Sequence, residues 1–156
     1  MAVPTKLKSY LDKEKIRYEV AEHPLAYTAS EIAGSQHVPG KQMVKSVIIK
    51  SQGKFFMCVL PAIHLIDFDK LKKVLGSKDI TLADEEEIAK LFPDYDLGAE
   101  PPFGHLYGLK VYADLSLEDD DEIVFNAGTH TDVVKMKMDD FKRLVKPVMS
   151  EIGTHI

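Results

Sequence analysis

The sequence predicts an α/β mixed (α+β) fold: a curled mixed β-sheet or partial barrel with helices packed outside. Two kinds of periodicity support this class, because segments with strand-like alternation are interspersed with segments of helical spacing. A third observation is the tripeptide Ser51-Gln52-Gly53 between two apolar segments, which is typical of a β-hairpin. The 156 residues suffice for one hydrophobic core, so we expect a single domain over residues 1–156.

The first elements are predicted from local patterns near the N-terminus. A helix is predicted over residues 4–16, with Pro4 near its start and a partial apolar stripe at helical spacing. Residues 17–22 alternate and are predicted to form a strand. Thr28 then begins a short helix, because Glu31 stands three residues later and completes a capping box.

The strongest strand signals lie on either side of the predicted hairpin, at residues 43–50 and 54–60. The second of these segments is apolar on both faces, so we expect it to be central and buried. Further strands are predicted at residues 109–113, 122–126 and 131–137.

The other helices are recognised by their end signals, and they are predicted at residues 67–75, 84–92 and 139–146. Gly76 ends the first of them. Asp84 and Glu87 form a capping box at the start of the second, and Pro93 stops it.

The composition is that of an ordinary globular protein, with 45% hydrophobic and 29% charged residues. No apolar run approaches the roughly 20 residues of a transmembrane helix, and the first residues lack the apolar region of a signal peptide. Cys58 is the only cysteine, which excludes an internal disulfide and a multi-cysteine zinc site. A single cysteine favours the reducing cytoplasm, and we expect a monomer because no long unpaired apolar face stands out.

Residues 98–104, Gly-Ala-Glu-Pro-Pro-Phe-Gly, predict a rigid loop. Adjacent prolines remove two backbone donors and exclude a helix or an interior strand. The glycines at its ends let a ligand approach the backbone closely. Such a loop either lines a site or is only a stiff connector.

Lys45 is the second candidate. Strand alternation puts it on one face with Met43, Val47 and Ile49, so its amine must reach solvent, find a partner or serve a site. The alternative is an exposed edge lysine that prevents strand pairing.

A turn at residues 126–130 is the third candidate. Asn126 offers both a hydrogen-bond donor and an acceptor, and Gly128 permits close approach of a ligand. His130 follows two residues later; taken alone, such a histidine is more often structural than catalytic.

The order of these three features, a lysine in a strand, a Gly-x-x-x-Pro loop and an Asn-Ala-Gly-x-His turn, resembles the YbaK/EbsC family. That family comprises free-standing aminoacyl-tRNA deacylases related to the editing insertion of bacterial prolyl-tRNA synthetases. The resemblance covers roughly residues 20–146, and residues 22–24 and 28–33 are also similar to the N-terminal region of the family. It implies the same mixed architecture.

The resemblance implies a trans-editing hydrolase that deacylates mischarged tRNA, most simply tRNA-Pro carrying alanine, cysteine or serine. Lys45 falls at the position of the family's important lysine and is expected to orient the terminal adenosine or its phosphate, while the ribose hydroxyl of the substrate assists the water. Two segments, expected as opposite walls of the pocket, supply the substrate-binding residues Gly98, Pro101, Pro102, Phe103, Gly104, Asn126, Ala127, Gly128 and His130. Neither metal nor cofactor is expected. Glu100 departs from the small residues usual inside the loop, which puts the amino-acid specificity in question.

The charge distribution bears on the expected partner, the acceptor end of an aminoacyl-tRNA. A net charge of −5 is unlike that of a general nucleic-acid binder. Basic residues nevertheless cluster within residues 6–17, 70–78 and 135–146, and some could meet a few tRNA phosphates. For most of them a solvated helix face is the simpler interpretation.

Two other function classes remain open. One is a nonenzymatic module that binds tRNA or associates with an aminoacyl-tRNA synthetase. The other is a small metal-dependent hydrolase that uses His130 and Asp132, although no paired-histidine zinc motif supports it.

Overall fold

Four helices and ten strands form the described part of the chain. The computed structural model describes residues 5–22, 43–93, 95–96, 98–129 and 132–155. The helices are α1 (Thr5–Lys13), α2 (Phe68–Leu75), α3 (Glu85–Leu91) and α4 (Met138–Val145). The strands are β1 (Tyr18–Glu22), β2 (Val44–Ser51), β3 (Lys54–Pro61), β4 (His64–Ile66), β5 (Thr81–Leu82), β6 (Lys110–Asp114), β7 (Glu122–Asn126), β8 (Asp132–Lys137), β9 (Val148–Ser150) and β10 (Gly153–His155). Short 3-10 helices cover Gly104–Tyr107 and Leu115–Asp119.

These strands form three sheets, and the predicted mixed α+β class is confirmed. The largest sheet has the order β5-β2-β3-β6-β9, with β5, β2 and β3 antiparallel and with β3, β6 and β9 parallel. A second, antiparallel sheet has the order β1-β8-β7, and β10 pairs with β4. Within the described ranges the strands do not close into a barrel. A parallel bridge from Met43 to Val124 joins the start of β2 to β7.

The strand β3 is central, as its apolar sequence predicts. It lies between β2 and β6, and its residues from Met57 onward are buried. The hairpin that precedes it turns through Gln52 and Gly53, whose φ values are 51° and 77°. Two positive φ values in a two-residue loop are typical of the type I′ turn, which matches the twist of paired strands.

The helix ends predicted at Gly76 and at the Asp84–Glu87 capping box are confirmed, whereas Asp67, predicted as the first residue of its helix, is the N-cap of α2. The Asp67 carboxylate accepts hydrogen bonds from the N–H groups of Asp69 and Lys70 at the start of α2. Gly76 ends that helix with a φ of 66°. At α3, Asp84 and Glu87 form the reciprocal capping box, with N–O distances of 2.8 and 3.0 Å.

Four short strands and both 3-10 helices were not predicted. β4, β5, β9 and β10 have two or three residues each, too few for alternation to be detected. The pair of β4 and β10 depends instead on a distant side chain, since Asp114 Oδ1 accepts hydrogen bonds from the N–H groups of Ile152 and Gly153 at 3.1 and 3.0 Å. The helix predicted at Thr28 lies outside the described residues. No helix in the described ranges combines the length and the apolar character needed to span a bilayer.

Two hydrophobic clusters lie on opposite faces of the large sheet. In the larger one, the Phe103 ring is 0% exposed and contacts Tyr10, Phe125 and Phe141, with centroid distances of 6.2, 5.6 and 5.8 Å. Since these rings belong to α1, β7 and α4, one side chain links three elements. The smaller cluster packs Leu71 of α2 against Ile49 and other sheet residues.

Replacing Phe103 with alanine is expected to lower the free energy of unfolding by about 3–5 kcal/mol, because it leaves a cavity among aromatic rings. Urea denaturation followed by circular dichroism measures this loss. Phe68 is 36% exposed, so Phe68→Ala is the matched control and should cost clearly less. Equal losses for the two variants would contradict the central role of Phe103.

Candidate functional site

The loop at residues 98–104 is rigid and largely buried. Gly98 adopts a φ of 87°, a left-handed conformation that favours glycine. The Phe103 N–H donates to the Pro101 carbonyl oxygen at 2.8 Å, which tightens the chain before the 3-10 helix begins at Gly104. Pro101 and Pro102 are both buried. The predicted stiff, non-helical loop is therefore confirmed.

Backbone hydrogen bonds join this loop to the turn that follows β7. The Asp96 N–H donates to the Gly128 carbonyl oxygen at 2.7 Å, and the Gly128 N–H donates to the Ala99 carbonyl oxygen at 2.9 Å. Gly128 has a φ of 94°, so a side chain at this position would be strained. The two segments lie edge to edge, where we expected opposite walls of a pocket. They form one continuous surface.

The turn itself is closed by its own side chains. The Thr129 hydroxyl donates to Asp132 Oδ2 at 2.6 Å and accepts from the Asp132 N–H at 3.0 Å. The Ala127 N–H donates to the Asp132 carbonyl oxygen at 3.0 Å. Asp132 therefore serves the geometry of the turn. His130 lies outside the described residues, and its role stays a prediction.

Asn126 presents an unsatisfied acceptor at the end of β7. Its side chain is 9% exposed, and its Oδ1 atom has no hydrogen-bond partner within the described residues. A buried acceptor without a partner costs about 1–3 kcal/mol. A ligand that donated a hydrogen bond to this oxygen would recover that energy.

Lys45 is half-buried near the start of β2, and its register partner on the neighbouring strand β3 is Leu60. Burial lowers the pKa of its amine below the ordinary lysine value. Within the described ranges, its amine makes neither a hydrogen bond nor an ion pair. Met43 and Val124 form a parallel bridge. Lys45 follows Met43 by two residues and Asn126 follows Val124 by two residues, so Lys45 and Asn126 lie at the same level of neighbouring segments.

Phe103 and Gly104 hold the loop in place through packing. The Phe103 ring is enclosed by the core, so only its backbone can face a ligand. A Cβ atom at Gly104 would lie 3.0 Å from Met57 Sδ and 3.2 Å from Val111 Cγ2, so the loop passes close to the large sheet because glycine stands there. Substrate binding by these residues stays a prediction.

Glu100, the residue that departs from the usual loop composition, is 6% exposed. Its Oε1 atom accepts a hydrogen bond from the Gly98 N–H at 3.2 Å. The carboxyl group thus turns back onto its own loop, which is the loop expected to hold the amino acid.

The contact between His105 and Tyr10 was not predicted from the sequence. The His105 Nε2 atom lies 3.1 Å from the Tyr10 hydroxyl, which donates to the Leu144 carbonyl oxygen at 3.5 Å. Because these residues are 95 positions apart, no local pattern could reveal the pair. Burial lowers the pKa of His105, and its Nδ1 atom has no partner in the described part of the chain.

In the described ranges, no group of three or more His, Cys, Asp or Glu side chains is placed so that it could hold a metal ion. The candidate site combines a rigid glycine-containing surface with an amine and an amide oxygen that have no partner among the described residues. In a small α+β domain, such an arrangement is suited to holding a polar ligand by positioned groups.

Comparison with known proteins identifies the family. Residues 23–144 match the model of the aminoacyl-tRNA editing domain family, and the chain belongs to this family. The resemblance found in the sequence is thereby confirmed. Membership supports an aminoacyl-tRNA deacylase activity in editing, with aminoacyl-tRNA as the substrate class.

Sequence relatives include proline–tRNA ligases. The ligase of Staphylococcus saprophyticus is 36% identical over 109 residues, which cover 68% of this chain and 18% of the ligase. That of Staphylococcus aureus strain Newman is 33% identical over 112 residues, covering 70% of this chain and 19% of the ligase. The matched segment thus spans under a fifth of these relatives.

A solved structure shares the fold. A protein described as a candidate trans-editing enzyme for prolyl tRNA synthetase superposes with a TM-score of 0.85 and 21% sequence identity, covering 96% of this chain and 95% of that one. At this identity the match establishes the architecture.

The buried His105 predicts a pH-dependent stability. Its folded pKa is lower than the unfolded value of about 6.5, so the unfolded chain binds the proton first as the pH falls. Stability is therefore lost as the pH drops from about 6.5 towards the folded pKa. The free energy of unfolding of His105→Gln, measured by urea titration between those limits, should depend less steeply on pH than that of the wild type. Identical slopes would contradict the shift.

Proposed function

We propose that this chain removes a small non-cognate amino acid, alanine, cysteine or serine, from tRNA-Pro in trans, without a metal or a covalent nucleophile. The observation that carries the proposal is that a half-buried amine, that of Lys45, and a buried acceptor without a partner in the described residues, Asn126 Oδ1, belong to residues at the same level of adjoining segments. The relatives support the choice of tRNA, since they are proline–tRNA ligases.

An aminoacyl ester is already activated, so hydrolysis requires a placed water and a held substrate more than a strong nucleophile. Positioning of this kind contributes several kcal/mol. The one cysteine is unsuited to attack the ester, because Cys58 is fully buried and burial raises its pKa to about 12. Consistent with the family resemblance, the ribose hydroxyl of the substrate assists the water.

Lys45 orients the terminal adenosine or its phosphate. Without a ligand, its amine is partly desolvated and has no neighbouring negative charge in the described ranges. A phosphate placed beside it would stabilise the ammonium form and raise the pKa again. The energy of burying this amine is thus recovered only when an anionic ligand binds.

Amino-acid selection works by size. A larger cognate residue is excluded where its side chain would overlap the rigid backbone of the loop and the turn, whereas smaller residues are distinguished only modestly. Glu100 adds a buried carboxyl group to this surface, whose oxygens can accept hydrogen bonds from a substrate. The α-amino group of every aminoacyl ester can donate such a bond.

The function is tested with a panel of tRNA-Pro charged with alanine, cysteine, serine or proline, with and without a chelator. We expect release of at least one small amino acid, little release of proline, and no effect of the chelator. Binding of tRNA without hydrolysis would favour the nonenzymatic module. Loss of activity on chelation would favour the metal-dependent hydrolase instead.

Lys45→Ala is expected to reduce deacylation by at least about a hundredfold, as removal of a group that orients the reacting end commonly does. Lys50→Ala is the matched control, because Lys50 lies on the same strand and pairs with Glu87 at an exposed position. The rate of deacylation and the circular dichroism spectrum are measured for both variants. A folded Lys45→Ala variant with full activity would remove Lys45 from the mechanism.

A further inference from the structure

We propose that a cleft at the C-terminal end of α2 binds the phosphate backbone of the tRNA acceptor stem. The cleft has a volume of about 570 Å³ and is lined by Asp69, Lys72, Lys73, Gly76, Ser77 and Lys78. This inference rests on the proposed function for its substrate, and it adds a second contact region remote from Lys45.

The charges of the cleft favour an anionic ligand. Three lysines line it against one carboxylate, that of Asp69, in a chain whose net charge is −5. In the described part of the chain, none of these three amines forms an ion pair or a hydrogen bond. Lys70 differs, because its amine donates to the Gly153 carbonyl oxygen at 3.1 Å and is used within the fold.

The cleft and Lys45 lie on the same side of the large sheet. The smaller hydrophobic cluster packs Leu71 of α2 against Ile49, and strand alternation puts Lys45 on the face of Ile49. The hydrogen bond between the hydroxyls of Ser51 and Ser77, 3.1 Å long, fixes the cleft beside the opposite end of β2.

This arrangement gives a spacing that suits an RNA strand. Lys45 and Ser51 are six residues apart on β2, which corresponds to about 20 Å at roughly 3.3 Å per residue. That distance matches about six stacked nucleotides at roughly 3.4 Å each. With the aminoacylated 3′ end at Lys45, the cleft would meet phosphates beyond the single-stranded 3′ end of the tRNA, at the first base pairs of the acceptor stem.

A competing explanation is that the lysines only compensate the dipole of α2. Lys72 and Lys73 stand in the last turn of the helix, where positive charge is favourable. Lys78 lies beyond the end of the helix and gains little from its dipole. Compensation of the dipole affects stability, and it makes no contribution to RNA binding.

The test uses the full chain and a fluorescently labelled acceptor-stem minihelix RNA that carries no amino acid. Binding is followed by fluorescence anisotropy over a range of salt concentrations for the wild type and for the triple variant Lys72→Ala, Lys73→Ala, Lys78→Ala. A second triple variant, Lys13→Ala, Lys90→Ala, Lys137→Ala, makes the same change in net charge on other elements and serves as the matched control. Circular dichroism confirms the fold of each.

We expect the cleft variant to bind the RNA at least about tenfold more weakly. The slope of log K against log salt should fall by about two to three, because each lysine that neutralises a phosphate contributes roughly 0.7–0.9. The control variant should keep most of the affinity and of the slope. Equal weakening in the two variants would assign the effect to diffuse charge and overturn the proposal, as would unchanged binding by the cleft variant.

The readout is independent of the amino acid removed, because the RNA probe is not aminoacylated. If the deacylation panel fails while the cleft variant loses RNA binding, the proposed substrate is wrong and the RNA surface stands. If tRNA-Pro is deacylated normally and the cleft variant binds the minihelix as the wild type does, only the surface is wrong.

Discussion

The packing of the Phe103 ring is the interaction on which the candidate site depends. The ring lies among residues of α1, β7 and α4, and its backbone belongs to the loop that faces the site. A fully enclosed aromatic ring contributes several kcal/mol to folding and allows little movement of the chain that carries it. The core therefore fixes the position of the adjoining glycine and proline backbone. The turn after β7 is fixed relative to this loop by two hydrogen bonds, from the Asp96 N–H to the Gly128 carbonyl oxygen and from the Gly128 N–H to the Ala99 carbonyl oxygen.

Two polar groups of the candidate site, on Lys45 and Asn126, have no hydrogen-bond partner among the described residues. Asn126 Oδ1 is buried and the Lys45 amine is partly desolvated. Both arrangements oppose folding, and the surrounding core offsets their cost. Preorganised groups of this kind interact more strongly with a substrate than mobile ones, because little entropy remains to be lost on binding.

The sequence predicted elements with local signatures and failed where distant residues act together. Gly76 and the capping box of Asp84 and Glu87 mark helix ends through contacts within a few positions, and both are observed. The loop and the turn were identified through their order along the chain, whereas the bonds between them depend on a fold that places residues about thirty positions apart side by side. The same limit applies to Lys70 and Lys72, which look alike in the sequence. Only tertiary structure shows that the first amine binds a carbonyl and the second lines a cleft.

The carboxylate of Asp114 has a consequence for how the chain acquires its structure during synthesis. Burial opposes its ionisation, but hydrogen bonds from Ser116, Ile152 and Gly153 outweigh that effect and hold its pKa below the ordinary value. Two of those donors are made by the ribosome almost forty residues after the acid itself. Until they leave the exit tunnel, the charge at the end of β6 lacks part of its coordination, and β4 lacks its partner strand. The nascent polypeptide can thus assemble the hairpin of β2 and β3 early, whereas the pairing of β4 with β10 has to wait until residues 153–155 have been synthesised.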